Sequence, residues 1–199
     1  LIGTGGMLPL PDRWLTSLWV EYNGNACLID CGEGTQIAIA QHKLKLSHLD
    51  TILITHTHAD HISGLAGLLL SLGNCGKTDT LKIYGYTGIT DTIRQLLCIC
   101  PVLPFELEIH ELPLDGINSF DWNEMKISSI PLDHSIDCLG YSFTLCRKPV
   151  FAPEKAKALG IDVKFWKTLH SGNTVTIDGK TFTPDMVTAE KRSDIKISY

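Results

Sequence analysis

The sequence lacks a long apolar run and has no excess of basic residues. No stretch reaches the roughly 20 apolar residues that a transmembrane helix needs, so we expect no membrane association. The formal net charge of −5 argues against a broadly basic nucleic-acid-binding surface, but not against a local basic patch. With 199 residues, 44% hydrophobic and 20% charged, the chain is typical of one globular domain with a sizeable core.

CxxC motifs and a recognisable signal peptide are also missing. The seven cysteines are an odd number, and most lie in apolar stretches, which favours buried, reduced thiols in a cytoplasmic protein. A metal site at Cys98 and Cys100 is not expected, because an isoleucine in an apolar run separates them. The chain opens on Leu1 inside a predicted strand, so we expect its true start to be missing.

Three histidines and one aspartate lie close together in the stretch Thr55-His56-Thr57-His58-Ala59-Asp60-His61. The run Thr51–Ile54 before them is short, apolar and rich in β-branched residues, which predicts a buried strand. The segment Ser63–Leu70 after them predicts a helix that packs on this strand. The cluster is therefore expected on a loop at the C-terminal end of a strand, where open α/β sheets place their sites.

These residue types indicate metal binding. His56 and His58 are two residues apart, so in an extended chain they point the same way and can share one cation. Asp60 and His61 follow at the turn and can face a second cation. This donor set suits zinc, with iron or manganese as alternatives, and two such cations side by side would activate a water molecule as a nucleophile. A polar loop with surface histidines is the alternative, which the clustering disfavours.

Two further strand ends carry candidate residues. Asn23-Gly24 predicts a hairpin whose returning strand ends at Asp30. Asp30 is predicted either to support a metal-bound histidine without binding the metal itself, or to form a turn or a helix N-cap. The predicted strand Met125–Ile130 leads to His134, the best remaining candidate ligand. The glycines of Gly3–Gly6 favour a tight turn over a phosphate site, because the lysine of a P-loop is missing.

Strands and helices alternate in the middle of the chain, with hairpins near both ends, which predicts a mixed α/β sandwich. Ile89–Cys100 is predicted to be a helix that Pro101 ends. Leu107–Leu112 is predicted to be a half-exposed strand in which His110 is a surface histidine. The second hairpin is expected around Asp178-Gly179.

Residues 147–170 differ in character from the rest. Six basic residues meet only two acidic ones, and three aromatic residues are interleaved with them (Phe151, Phe165 and Trp166). The segment has helical pieces but too few apolar residues to be part of a core. Such a segment suits contacts with a phosphate backbone, and the alternative is a solvated surface helix with ordinary lysines.

The cluster HTHADH resembles the HxHxDH signature of the metallo-β-lactamase superfamily. The stretches LIGTGGMLPLPDRWLTSLWV, LIDCGEGTQ, THADHISGL and LDHSIDCLGYSF are similar to ribonuclease Z, the endonuclease family that trims the 3′ trailer from precursor tRNA. The resemblance runs from Leu1 to Tyr199. It implies that residues 1–199 form a single domain with the metallo-β-lactamase-type αββα sandwich, the second half incomplete, corresponding to the N-terminal two-thirds of a full-length enzyme.

The resemblance also implies a role for each site residue. Zinc would be the metal, with two ions in a complete site. The first ion would be held by His56, His58 and His134. Asp60 and His61 would hold the second, Asp60 would also be the general base, and Asp30 would support the histidines. Residues 147–172, approximately, would form an inserted basic tRNA-binding arm, with four candidate substrate contacts: Lys155, Lys157, Lys164 and Lys167. Many relatives carry Gly-Pro in this arm where this chain has Val163-Lys164.

Partners and alternatives follow from the same resemblance. The substrate would be precursor tRNA, and the enzyme would be a cytoplasmic homodimer in which one subunit's arm serves the other's site. In the family, a bridging aspartate and a last histidine ligand follow the strand that begins at residues 196–199, so we expect this chain to hold the second zinc weakly. Two other hypotheses stay open: a truncated, non-catalytic binding or dimerisation module, and a small-molecule ester or thioester hydrolase of the same superfamily.

Overall fold

The computed structural model describes residues 1–100 and 102–199. Its main elements are a five-stranded β-sheet covered by helices and a four-stranded β-sheet. The chain divides into unit 1, residues 1–143 and 197–199, and unit 2, residues 144–196. In the described ranges, no helix has both the length and the apolar character needed to cross a membrane.

The strands in chain order are β1 (Leu18–Tyr22), β2 (Asn25–Ile29), β3 (Leu49–Leu53), β4 (Leu81–Tyr86), β5 (Leu107–Leu112), β6 (Asn118–Trp122), β7 (Met125–Pro131), β8 (Leu139–Leu145), β9 (Val175–Ile177), β10 (Lys180–Phe182) and β11 (Ile195–Ser198). The α-helices are α1 (Thr35–Gln41), α2 (Ala59–Ile62), α3 (Leu65–Asn74), α4 (Ile89–Leu96), α5 (Pro153–Ala158) and α6 (Trp166–His170).

The first sheet has the strand order β1-β2-β3-β4-β5. β1 and β2 form the predicted hairpin, in which Asn23 and Gly24 have positive φ angles of 49° and 79°, as a type I′ turn requires. Each neighbouring pair from β2 to β5 is parallel. The carboxyl ends of these strands therefore meet at one edge, so residues that follow β2 and β3 are brought close together.

Side chains on the two faces of the first sheet enter different layers. Ile52 of β3 packs with Leu68 of α3 and Ile93 of α4, whereas Leu53 packs with Tyr141 of the second sheet, whose order is β11-β8-β7-β6. A strand buried on both faces tends to carry a continuous apolar run, and Ile52-Leu53-Ile54, at the end of β3 and just after it, is such a run. The helix–sheet–sheet layering confirms the predicted mixed α/β sandwich.

The region before β5 departs from the prediction. The helix expected over Ile89–Cys100 is shorter, because α4 ends at Leu96 and residues Leu97–Ile99 form a 3₁₀ turn. Pro101, which was predicted to end this helix, lies outside the described residues. Cys98 is exposed, whereas the buried Cys100 directs its thiol to the carbonyl of Ala66 at 3.7 Å.

Unit 2 contains a small apolar core of its own. Four residues are buried together: Ala156, Ile161, Leu169 and Val187. The three aromatic residues of the basic segment pack against this core, and Trp166 Nε1 donates a hydrogen bond to the Ile161 carbonyl at 2.9 Å. The expectation that residues 147–170 have too few apolar residues to be part of a core was therefore wrong, because Ala156, Ile161 and Leu169 lie in this core. It overlooked Val187 and the β9–β10 hairpin, which complete this core from outside the segment.

Candidate metal centre

The predicted site residues lie at the carboxyl edge of the first sheet. His56 and His58 follow β3, α2 carries Asp60 and His61, and Asp30 directly follows β2. Asp30 has a φ of 58°, a left-handed conformation that aspartate adopts more readily than most residues. Its N–H donates to the carbonyl of Leu53, the last residue of β3, at 2.8 Å. The two strands thus end side by side.

Three histidines converge on one point. The nitrogen atoms that His56, His58 and His134 offer lie within 4.8 Å of one another. His56 Nε2 is 3.1 Å from His58 Nδ1, and His134 Nε2 is 3.4 Å from the same atom. His56 is buried, His58 is half-buried and His134 is exposed, so the cluster opens to solvent on the side of His134.

The loop between β7 and β8 brings His134 to the cluster. The Leu132 N–H donates to the Cys138 carbonyl at 2.9 Å, which closes the loop. The Leu139 N–H donates to the Thr55 carbonyl at 2.9 Å, which joins the start of β8 to the end of β3. Two strands of different sheets therefore fix the distance between His134 and the first two histidines.

Asp60 and His61 lie beside the three histidines. Asp60 Oδ2 is 3.9 Å from His61 Nε2 and accepts a hydrogen bond from the Met7 N–H at 3.0 Å. The ring centroids of His56 and His61 are 4.0 Å apart. The structure thus gathers all five proposed ligands at one place, with Asp60 and His61 next to the converging triad of His56, His58 and His134.

Asp30 is fully buried and is hydrogen bonded to His61 and to Thr55, whose hydroxyl in turn contacts His56. His61 Nδ1 lies 2.6 Å from Asp30 Oδ2, and the Thr55 N–H donates to Oδ1 at 2.8 Å. Thr55 Oγ1 lies 2.9 Å and 2.8 Å from the two carboxylate oxygens and 2.9 Å from His56 Nδ1. The geometry does not make Asp30 a helix N-cap, because α1 begins after Gly34.

No role in the site was predicted from the sequence for Thr55 or Met7. Thr55 is a hydroxyl residue at a strand end, next to a neighbouring strand that ends in an aspartate, and this combination is a signal that the sequence did offer. Met7 contributes through its backbone N–H, which no residue type reveals.

Burial and the neighbouring charges set the protonation of the cluster. Burial, followed by the nearby histidines, lowers the pKa of His56 to about 4. For Asp60, burial is outweighed by hydrogen bonds from backbone N–H groups, Met7 first, so its pKa is lowered. At neutral pH, His56 therefore presents a free lone pair and Asp60 a negative charge.

Burial and hydrogen bonding have opposing effects on the pKa values of His61 and Asp30. Burial opposes the charged form of His61, but the hydrogen bond to Asp30 and the charges of Asp30 and Asp60 outweigh it and raise the pKa of His61. Burial also raises the pKa of Asp30, although the hydrogen bonds from His61 and Thr55 favour its ionised form.

The converging triad fits zinc. Three imidazole ligands with one open position are characteristic of catalytic zinc sites. Nitrogens at about 2.0–2.1 Å from a tetrahedral zinc ion lie about 3.3 Å apart. Two of the three nitrogen separations, those from His58 Nδ1 to His56 Nε2 at 3.1 Å and to His134 Nε2 at 3.4 Å, are close to this value.

The four candidate lysines all lie in unit 2. Lys155 Nζ donates to the Thr188 carbonyl at 2.6 Å, and Lys164 Nζ lies 3.7 Å from Asp162 and 5.0 Å from the Phe165 ring centroid. Lys157 and Lys167 are exposed, and neither forms an ion pair with a described residue. The last two are therefore the more accessible of the four.

Comparison with known proteins finds similarity to one family model and to proteins of the ribonuclease Z family. A family model described as "Anti-Pycsar protein Apyc1" matches residues 1–158. Proteins named Ribonuclease Z match the whole chain: that of Agathobacter rectalis is 45% identical over 199 residues, and that of Alkaliphilus oremlandii is 40% identical over 217 residues. The chain spans 65% of the length of the first relative and 67% of the second.

Solved structures share the fold. The short form of human tRNase Z is 31% identical, with a TM-score of 0.64 over 71% of this chain and 61% of that one. The metallo-β-lactamase fold protein YhfI from Bacillus subtilis is 19% identical, with a TM-score of 0.60 over 71% of this chain and 55% of that one. These likenesses confirm the expected metallo-β-lactamase-type fold, of which the chain covers a part.

Proposed function

Because the chain belongs to the ribonuclease Z family and, over residues 1–158, to the family described as anti-Pycsar protein Apyc1, we propose that the whole protein is an endoribonuclease that removes the 3′ trailer from precursor tRNA. The main support for this proposal is how much of the chain each of the two matches covers. The match to ribonuclease Z continues through unit 2, whereas the match to the other family ends at Ala158, the last residue of α5. Only the first therefore accounts for the basic second unit.

In this proposal, zinc is held by His56, His58 and His134, with Asp60 and His61 contributing two donors to a second position. When bound, zinc polarises the phosphodiester and lowers the pKa of water to about 7. The support is the mutual approach of the three imidazoles and the neutral state of His56 at pH 7, which leaves a lone pair available.

Asp60 is proposed to orient the attacking water and to accept its proton. Its carboxylate is fixed by the Met7 N–H, and its lowered pKa keeps it ionised at neutral pH. The water oxygen attacks phosphorus, a water proton passes to Asp60, and the bond from phosphorus to the leaving ribose oxygen breaks. A fixed negative acceptor needs no reorganisation at the moment of proton transfer.

Unit 2 is proposed to bind the tRNA backbone through an arm of about residues 147–172. Unit 2 has ten basic and six acidic residues, which gives it a net charge of +4 although the chain as a whole carries −5. The remaining residues therefore carry −9. A cationic unit on an otherwise acidic protein concentrates the attraction for phosphate in one place.

The experiment offers the purified protein three substrates with zinc present: a precursor tRNA with a 3′ trailer, a thioester and a sulfate ester. We expect trailer removal, lost on chelation and restored by zinc, with no turnover of the other two. Turnover of a small ester with intact precursor would favour the small-molecule hydrolase hypothesis. Zinc binding with no turnover of any substrate would favour the binding or dimerisation module.

The homodimer and the cytoplasmic location stay predictions. Sedimentation of the zinc-loaded protein tests the first, with twice the chain mass expected. Fractionation of the source cells tests the second.

A further inference from the structure

The hydroxyl of Thr55 has a single proton and several possible partners. An ionised carboxylate only accepts hydrogen bonds, and Asp30 lies among three donors: the Thr55 N–H, His61 Nδ1 and the Thr55 hydroxyl. Thr55 Oγ1 lies 2.8 Å and 2.9 Å from the two carboxylate oxygens, so the hydroxyl donates its hydrogen bond to Asp30. The lone pairs of Oγ1 then remain for a donor.

That donor is His56. Its Nδ1 lies 2.9 Å from Thr55 Oγ1, so it must carry the proton for this contact to be a hydrogen bond. The Cys138 thiol approaches the same nitrogen only at 3.8 Å and is a weaker donor. A neutral imidazole carries one N–H, so His56 Nε2 is bare, and this is the atom that faces His58 Nδ1 at 3.1 Å.

We propose that Thr55 is a positioning residue that holds His56 in the Nδ1–H tautomer, with Nε2 directed to the first metal position. His61 donates directly to Asp30, so one buried carboxylate orients a ligand of each metal position, the first through Thr55 and the second without an intermediary. This inference rests on the proposed metal centre, but not on tRNA as the substrate.

The first test reads the tautomer in the metal-free protein. Long-range ¹H–¹⁵N correlation distinguishes a protonated from a bare ring nitrogen. We expect His56 to be protonated at Nδ1 in the wild type and in Thr55→Ser, which keeps the hydroxyl. In Thr55→Val, which keeps the shape and the N–H bond to Asp30, we expect a mixture of tautomers. Protonation at Nε2 in the wild type would overturn the proposal even if the valine variant fails to fold.

The second test measures zinc affinity by competition with a chelator. Loss of a group that orients a ligand typically weakens metal binding by about 10–100-fold, so this loss is expected for Thr55→Val and rescue for Thr55→Ser. The matched control is Thr57→Val, because the Thr57 hydroxyl contacts Tyr86 at 2.9 Å rather than a ligand. Equal affinity in Thr55→Val and Thr57→Val would contradict the proposal.

The two readouts separate this inference from the proposed function. If the wild-type protein binds no zinc, the proposed metal centre and the proposed function are both wrong, whichever tautomer His56 adopts. If the wild-type protein binds zinc but His56 is protonated at Nε2 in the metal-free state, only the proposed role of Thr55 is wrong.

Discussion

His61 donates a 2.6 Å hydrogen bond to Asp30, a carboxylate that is completely buried. This contact fixes the ring of His61 and leaves its other nitrogen, Nε2, on the side of Asp60. A buried carboxylate behind an imidazole is a common way to orient a metal ligand and to increase its basicity. We therefore propose that Asp30 supports metal binding by orienting His61, without being a ligand itself.

Asp30→Asn removes the negative charge behind His61 and Thr55. We expect zinc affinity to fall by about 10–100-fold, because an amide orients and polarises the imidazoles less well. Isothermal titration with zinc provides the measurement. Asp91→Asn is the control, since the Asp91 side chain is 81% exposed, and equal affinity in the two variants would contradict the role of Asp30.

His134→Ala removes one of three converging donors. We expect the variant to lose the tightly held zinc of the first position, because two imidazoles are a poor site on their own. Metal content after extensive dialysis measures this loss. His42→Ala is the control, since His42 is exposed at the end of α1; unchanged zinc content in His134→Ala would exclude His134 as a ligand.

Gly32→Ala tests the packing that supports the cluster. A Cβ at Gly32 would lie 2.3 Å from the Asp60 carbonyl oxygen and 2.6 Å from the Leu15 Cβ. Because both neighbours must shift, we expect a loss of about 1–3 kcal/mol in the free energy of unfolding. Chemical denaturation measures it, with Gly116→Ala as the control because a Cβ there meets nothing within 4 Å. Equal stability of the two variants would contradict this packing.

The double substitution Lys157→Glu and Lys167→Glu tests the arm. We expect cleavage of precursor tRNA to fall by about tenfold or more and its salt dependence to weaken, because phosphate contacts are lost. Hydrolysis of a small phosphodiester such as bis(p-nitrophenyl) phosphate should not change. The double variant Lys43→Glu and Lys45→Glu alters the charge equally within unit 1 and is the control. Equal tRNA cleavage by the two double variants would remove these lysines from the binding surface.

Much of the central sheet could be predicted from the sequence. The apolar run before His56 and the Asn23-Gly24 turn are local signals, and the structure has β3 and the β1–β2 hairpin at these positions. The convergence of His134 with His56 also agrees with the expectation that both residues follow strand ends.

The remaining features depend on contacts between distant segments. The hydrogen bonds of Thr55 involve Asp30, which lies 25 residues away, and the Met7 N–H reaches Asp60 across 53 residues. The core of unit 2 likewise needs Val187. Local periodicity carries no information about such pairings. Only the pairing of Thr55 with Asp30 had a sequence signal, because both residues lie at the ends of predicted strands.

Mapping the cut in a precursor tRNA tests the central proposal most directly. Purified zinc-loaded protein is incubated with a precursor that carries a defined 3′ trailer, and the new ends are sequenced, with a chelated sample in parallel. We predict a single cut directly 3′ to the discriminator nucleotide, absent from the chelated sample. An intact precursor, or cuts scattered along the RNA that persist after chelation, would contradict a metal-dependent tRNA 3′-processing endoribonuclease.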